Sequence, residues 1–171
     1  MSNKILVAYA TAAGSTGEVA EAIGNALREG DATVDVRRAK EVADVGDYSA
    51  VVLGTGVRAG HVYQEAATFV KTHQEALSKV PVAYFVVCMT MQDDTEDTRC
   101  QAGTYLDQLQ EKAPAVEPVD RGLFGGAMDY KKLPLPLRLM MKVMKASEGD
   151  FRDWEAIHAW ATGLRPLLSG A

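Results

Sequence analysis

Apolar positions along this chain switch repeatedly between two periods. Short, nearly unbroken apolar runs alternate with stretches in which apolar residues recur every three to four positions. The runs at 4–10, 50–54 and 82–90 read as strands buried on both faces of a parallel sheet. At 33–37 the sequence Thr33-Val34-Asp35-Val36-Arg37 alternates polar with apolar, which suits an edge strand. A fifth strand is expected at 122–127. Helical spacing marks 16–28, 64–78, 95–112, 136–146 and 150–162. In the first of these, Val19, Ala22, Ile23, Ala26 and Leu27 share a face. In the second, Ala66, Phe69, Val70, His73 and Leu77 do, which reads His73 as a packing residue. Alternating strands and helices predict an α/β fold with a doubly wound parallel sheet. Residues 1–171 contain no repeat, linker or low-complexity segment, so a single domain is expected.

A sheet of this kind holds its ligand beyond the carboxyl ends of its strands, at the point where the strand order reverses. Three loops are expected there. The first is Thr11, Ala12, Ala13, Gly14, Ser15 and Thr16, between the first strand and the first helix. Backbone N–H groups and the positive end of a helix dipole converge on such a loop, and its hydroxyls add donors. Ser15 with Glu18 three residues later reads as a capping box. The loop has no Lys for a triphosphate motif, too few glycines for a dinucleotide fingerprint, and no Cys or Arg for a phosphatase. Neutral donors without a cation suit one terminal phosphomonoester. The second loop is Thr55, Gly56, Val57, Arg58, Ala59 and Gly60, continuing through His61 to Tyr63. Its glycines and aromatic tip suit a flat ring resting on backbone. The third, Met89, Thr90, Met91, Gln92, Asp93 and Asp94, offers polarizable thioethers and an amide. Each loop alone reads equally as a surface turn; together they point to a planar cofactor carrying one phosphate.

Composition narrows the class. A net charge of -5 argues against general nucleic-acid binding. Two cysteines outside any C-x-x-C pair fit a reducing compartment, with Cys88 in the core and Cys100 on a helix. No His/Cys/acid group has metal-ligand spacing, so no metal is expected. Nothing at the N-terminus reads as a signal peptide, and the longest apolar run, Val80 to Met89, is too short to span a bilayer. A cytoplasmic location is expected, with the inner face of the membrane as a peripheral site.

The loop Thr11-Ala12-Ala13-Gly14-Ser15-Thr16 is similar to the phosphate signature of the flavodoxin family, which binds FMN. The resemblance implies a five-stranded sheet in the order 2-1-3-4-5. A closer resemblance, to the flavodoxin-type protoporphyrinogen IX dehydrogenases, lies in Gly54-Thr55-Gly56-Val57-Arg58-Ala59-Gly60-His61 followed by Phe69-Val70-Lys71-Thr72-His73. Gly125-Gly126-Ala127-Met128-Asp129-Tyr130, Leu139 to Lys145 and Asp153-Trp154-Glu155 continue it in order. It implies removal of hydrogen from a porphyrinogen through FMN, with electrons passed to a quinone. FMN would then be held by the three loops, and Arg58 and His61 are the candidate catalytic groups. Ala13 stands where that signature usually carries a hydroxyl. The acidic run Asp93, Asp94, Glu96 and Asp97 follows the fourth strand, beside the expected flavin rim, and should repel a carboxylate-rich substrate.

Two function classes follow. One is an FMN-dependent oxidoreductase with a small-molecule substrate and a quinone acceptor. The other is an electron-carrier flavodoxin that docks redox partner proteins and has no substrate of its own; the acidic surface favours it. The stretch from Leu137 to Met144 favours the enzyme. Leu137, Leu139, Met140, Met141, Val143 and Met144 cover about 200° of a helical projection, wider than the roughly 100° stripe a helix on a sheet needs. The surplus suits a membrane surface, a homodimer or a redox partner. The simplest single explanation is a helix buried on two sides within its own domain.

Overall fold

The computed structural model describes residues 3–11, 15–128, 135–143 and 149–169. Its centre is a sheet of five parallel strands: β1 (Lys4–Ala10), β2 (Thr33–Arg38), β3 (Ala50–Thr55), β4 (Val82–Cys88) and β5 (Asp120–Gly125). Their order is β2-β1-β3-β4-β5, the doubly wound arrangement implied by the sequence. β3 and β4 are buried at every position because helices cover both faces. Successive side chains alternate between two cores. Leu6, Ala8, Leu53, Tyr84 and Val86 face one; Ile5, Val7, Val52, Phe85 and Val87 face the other. At the edge, β2 keeps the expected alternation: Val34 is buried, while Thr33 and Arg37 are exposed.

α2 (Gln64–Thr72), the one-turn α3 (Gln74–Leu77) and α4 (Glu96–Lys112) contribute to the first core. α1 (Ser15–Arg28) and α6 (Trp154–Leu168) build the second. The continuous helix expected at 64–78 is broken at His73, whose backbone leaves helical geometry at φ -103°, ψ 15°. His73 is half-buried, its ring 4.8 Å from that of Phe69.

The chain beyond β4 departs most from the pattern. β4 ends at Cys88, and Met89–Gln92 turn as a short 3-10 helix instead of extending the strand. β5 lies two residues earlier than expected. After Gly126, Ala127 and Met128 pair antiparallel with Asp150 and Gly149. That ribbon uses residues expected to open the last helix, so α6 starts at Trp154, capped by Asp153, whose carboxylate accepts from the Ala156 N–H at 3.0 Å. A Cβ on Gly125 would lie 2.4 Å from the Phe151 carbonyl oxygen and 3.1 Å from that of Met91. Only glycine lets these three backbones converge. Between the two arms of the ribbon runs α5 (Leu135–Val143), at the place of the helix expected at 136–146, of which 144–146 lie outside the described residues.

Candidate functional site

β1 and β3 are neighbours whose connections leave in opposite directions, so their carboxyl ends form the switch point. The Gly56 N–H donates to the Ala10 carbonyl at 3.0 Å and ties the two ends together. Ala12, Ala13 and Gly14 lie outside the described residues. On either side of them, Thr11 follows β1, and Ser15 and Thr16 open α1. Ser15 is the first residue of α1 in the described chain, and Glu18 lies in its first turn. The Glu18 carboxylate accepts from Arg152, a residue far ahead in sequence that local pattern does not reveal. Arg152 also binds Asp150 and lies 4.8 Å over the Trp154 ring, so the ribbon is anchored to the first turn of α1.

Thr16 is 1% exposed, and its hydroxyl would be 3.2 Å from a Cβ on Gly56; the Tyr63 ring would be 2.7 Å away. Gly56 thus keeps open a narrow junction between the start of α1 and the second loop. Thr55 is wholly buried. Its hydroxyl donates to the Gly56 carbonyl at 2.8 Å and accepts from the Tyr63 N–H at 3.3 Å, so it shapes the loop from inside.

The second loop is a two-residue hairpin. Val57 pairs with Val62 and Arg58 with His61. Ala59 and Gly60 both have positive φ, 52° and 80°, as a type I′ turn requires. Val57 and Val62 pack on the first core, while Arg58, Ala59, Gly60 and His61 are exposed. Arg58 and His61 therefore share the outer face of one hairpin. The hairpin is held by Gln108 of α4, which accepts from the Val62 N–H and donates to the Gly60 carbonyl, both at 3.0 Å.

In the third loop Met89 and Thr90 are half-buried, and the Thr90 hydroxyl is 3.2 Å from that of Tyr105. Met91 turns inward and is buried in the first core. Asp93 is exposed, its carbonyl accepting from the Thr98 hydroxyl at 2.7 Å. Asp94 is bound by both arms of Arg99, at 2.5 and 2.9 Å, which holds its carboxyl below the usual range. The acidic run is thus locally balanced at one of its four positions. Burial pushes the Cys88 thiol up, consistent with a packing role, while Cys100 is exposed on α4.

One feature missed in the sequence is a cation beside the start of the first loop. Arg38, the last residue of β2, donates to the Thr11 carbonyl at 3.0 Å and pairs with Glu65 of α2 at 3.4 Å. The separation of 27 residues on either side hides this contact from any local pattern.

The family model of the flavodoxin domain matches residues 6–155. This chain belongs to the flavodoxin domain family. Among curated relatives, it is 27% identical to the protoporphyrinogen IX dehydrogenase [quinone] of Escherichia coli strain K12, covering 96% of each chain. It is 26% identical to the protein of the same name from Leishmania major, over 97% of this chain and 76% of that one. Among solved structures, a flavodoxin from the domain Archaea superposes with a TM-score of 0.60 at 17% identity, over 97% of this chain and 99% of that one. FMN is the cofactor of this flavodoxin domain. The residues at the switch point fit it: a buried hydroxyl on Thr16, the opening that a Gly56 side chain would fill, and the start of α1 facing the same place.

Proposed function

The chain is a flavodoxin-like oxidoreductase, and we propose that it is a dehydrogenase that takes hydrogen from a reduced small molecule of the porphyrinogen type and passes the electrons to a quinone. The observation that carries this reading is end-to-end likeness to the Escherichia coli protoporphyrinogen IX dehydrogenase [quinone], 96% of both chains, including the part that holds α5. Bound FMN supplies the two-electron redox chemistry. The chain's residues bind and orient it. We assign the phosphate to Thr11, Ala12, Ala13, Gly14, Ser15 and Thr16, and the ring to the hairpin at 55–60 and the loop carrying Met89, Thr90 and Asp93. Met91 supports that loop from below. To Arg58 and His61, side by side on the outer face of the hairpin, we assign the contact with an acidic substrate.

α5 supports a quinone acceptor. It exposes Leu135, Leu139, Met140 and Val143, and its sequence neighbourhood from 131 to 145 carries Lys131, Lys132, Arg138, Lys142 and Lys145 with no acid. Apolar side chains with flanking cations suit a peripheral contact with an anionic bilayer, where quinones reside. Met144 of the predicted surplus face lies outside the described residues, as do the side chains of Leu137 and Met141. Among the described residues no helix is long and apolar enough to cross a membrane.

The deciding experiment is anaerobic. Purified holoprotein is mixed with a porphyrinogen and flavin absorbance is followed, then a quinone is added. Bleaching by the substrate and recovery with the quinone are expected. The electron-carrier reading, favoured by the exposed acids Asp93, Glu96 and Asp97, predicts no bleaching by the substrate and reduction only by a partner protein. Met140→Glu should keep FMN and fold but lose quinone reduction in liposomes.

A further inference from the structure

We propose that Arg38 is a positioning residue for the FMN phosphate, supplying from outside the loop the positive charge that the loop lacks. This rests on the assignment of the phosphate to Thr11–Thr16. Arg38 ends β2, in register with Tyr9 of β1, so its side chain starts one residue short of the end of β1. Its guanidinium reaches the Thr11 carbonyl at 3.0 Å and the Glu65 carboxylate at 3.4 Å. Thr11 is where β1 stops and the phosphate loop begins. Fixing its carbonyl fixes the peptide plane that carries the next N–H, and so the direction in which the loop starts. Glu65 belongs to the first turn of α2, which follows the second loop. One guanidinium therefore links the loop assigned to the phosphate with the element that follows the loop assigned to the ring.

Two features separate this from an ordinary surface ion pair. First, the pair is only partly exposed: 34% for Arg38 and 15% for Glu65. Removal from water strengthens the local field of the pair, and its positive end is the one that touches Thr11, while the Glu65 carboxylate belongs to α2. Second, Arg38 Nε is buried and makes no hydrogen bond among the described residues. A buried donor left without a partner is costly, so it calls for a reason. A guanidinium spreads its charge over all three nitrogens. Placed beside a phosphate loop of neutral donors, it lowers the energy of a bound dianion without touching the flavin ring. Ala13, which brings no hydroxyl to the loop, makes such a charge more valuable.

The test compares FMN with riboflavin, which has the same ring and no phosphate. Dissociation constants are measured by flavin fluorescence after removal of the native cofactor. In Arg38→Gln, FMN should weaken about tenfold or more, the worth of a charge-assisted contact, while riboflavin is unchanged. Arg38→Lys keeps the charge and should retain most of the preference for FMN. In the wild type, the ratio of the two constants should shrink as salt rises. Equal weakening of both flavins in Arg38→Gln makes Arg38 a structural strut and overturns the proposal. If Arg38→Gln does not fold, a salt-independent ratio in the wild type, or an Arg38→Lys variant that loses the preference, overturns it too. A wild type that binds both flavins equally tightly would sink the phosphate assignment itself, which is a different failure.

Discussion

Gln108 donates its Nε2 hydrogen to the carbonyl of Gly60 at 3.0 Å, joining the middle of α4 to the tip of the hairpin. The same amide oxygen accepts from Val62, so a single side chain satisfies one backbone acceptor and one donor of the hairpin. Ala59 needs that support. Its φ of 52° is a conformation that disfavours a residue with a Cβ by roughly 1–2 kcal/mol. The loop assigned to the flavin ring is thus held in a strained turn by a helix from the next crossover.

Gln108→Leu should release this hairpin. Two modest hydrogen bonds amount to about 1–3 kcal/mol, much of it local. We expect a small drop in melting temperature and faster flavin release, with FMN and riboflavin affected alike because the loop assigned to the phosphate is untouched. Stopped-flow release of the two flavins checks this. Unchanged release rates would mean that the hairpin does not cover the ring.

Gly54 faces Phe85 across the β3–β4 pair. A Cβ there would lie 1.9 Å from Phe85 Cζ, an overlap the core cannot absorb, since Phe85 is itself packed by Phe124 and Trp160 with centroids 6.3 and 6.0 Å away. Gly54→Ala should destabilise by about 3 kcal/mol or more. Adding Phe85→Leu should recover part of that loss, so the double variant is more stable than the sum of the singles. Urea titrations of the four proteins test the coupling, and simple additivity would contradict the overlap.

The sheet was legible because its strands carry their burial in their own residues. Val51-Val52-Leu53 and Val82 through Cys88 are apolar throughout because helices cover both faces. The switch point and its loops followed from topology. What escaped were contacts between residues distant in sequence. Arg38 to Thr11, Gln108 to Gly60 and Arg152 to Glu18 each join residues 27 or more positions apart, and nothing local marks one arginine among many. The ribbon 127–128 with 149–150 escaped for the same reason, its two arms lying 21 residues apart or more.

Asp150 makes acid stability measurable at this ribbon. Hydrogen bonds from the Arg152 guanidinium hold its carboxyl down to about 2, against an ordinary value of 3.8. A depressed folded value favours the ionised form. Its contribution is therefore present above about pH 4 and is lost as pH falls toward 2. Half of the Asp150 side chain is exposed, so solvent screening keeps the contribution modest. Asp150→Asn should be less stable than the wild type at pH 6, with the gap closing by pH 2 and narrowing in high salt. A gap of the same size at pH 2 would assign the loss to packing instead of charge.

The loop after β4 carries its acids in two states. Asp94 is paired with Arg99, whereas among the described residues no ion pair joins Asp93, Glu96 or Asp97. Glu96 and Asp97 sit in the first turn of α4, where they favour the helix dipole, so changing them perturbs the helix as well as the field. Asp93 and Arg99 are the cleaner probes, because they differ in sign and belong to the same exposed segment. If this loop borders the flavin, an electron arriving there meets their charge. Asp93→Asn should then raise the reduction potential of the bound FMN and Arg99→Gln should lower it. Exposed charges act weakly, so each shift should stay below about 40 mV, equivalent to about 1 kcal/mol in a one-electron step. Both shifts should fade as ionic strength rises. Spectroelectrochemistry at low salt decides the matter: opposite shifts place the loop beside the ring, while two unmoved potentials place it elsewhere and remove Asp93 from the flavin site.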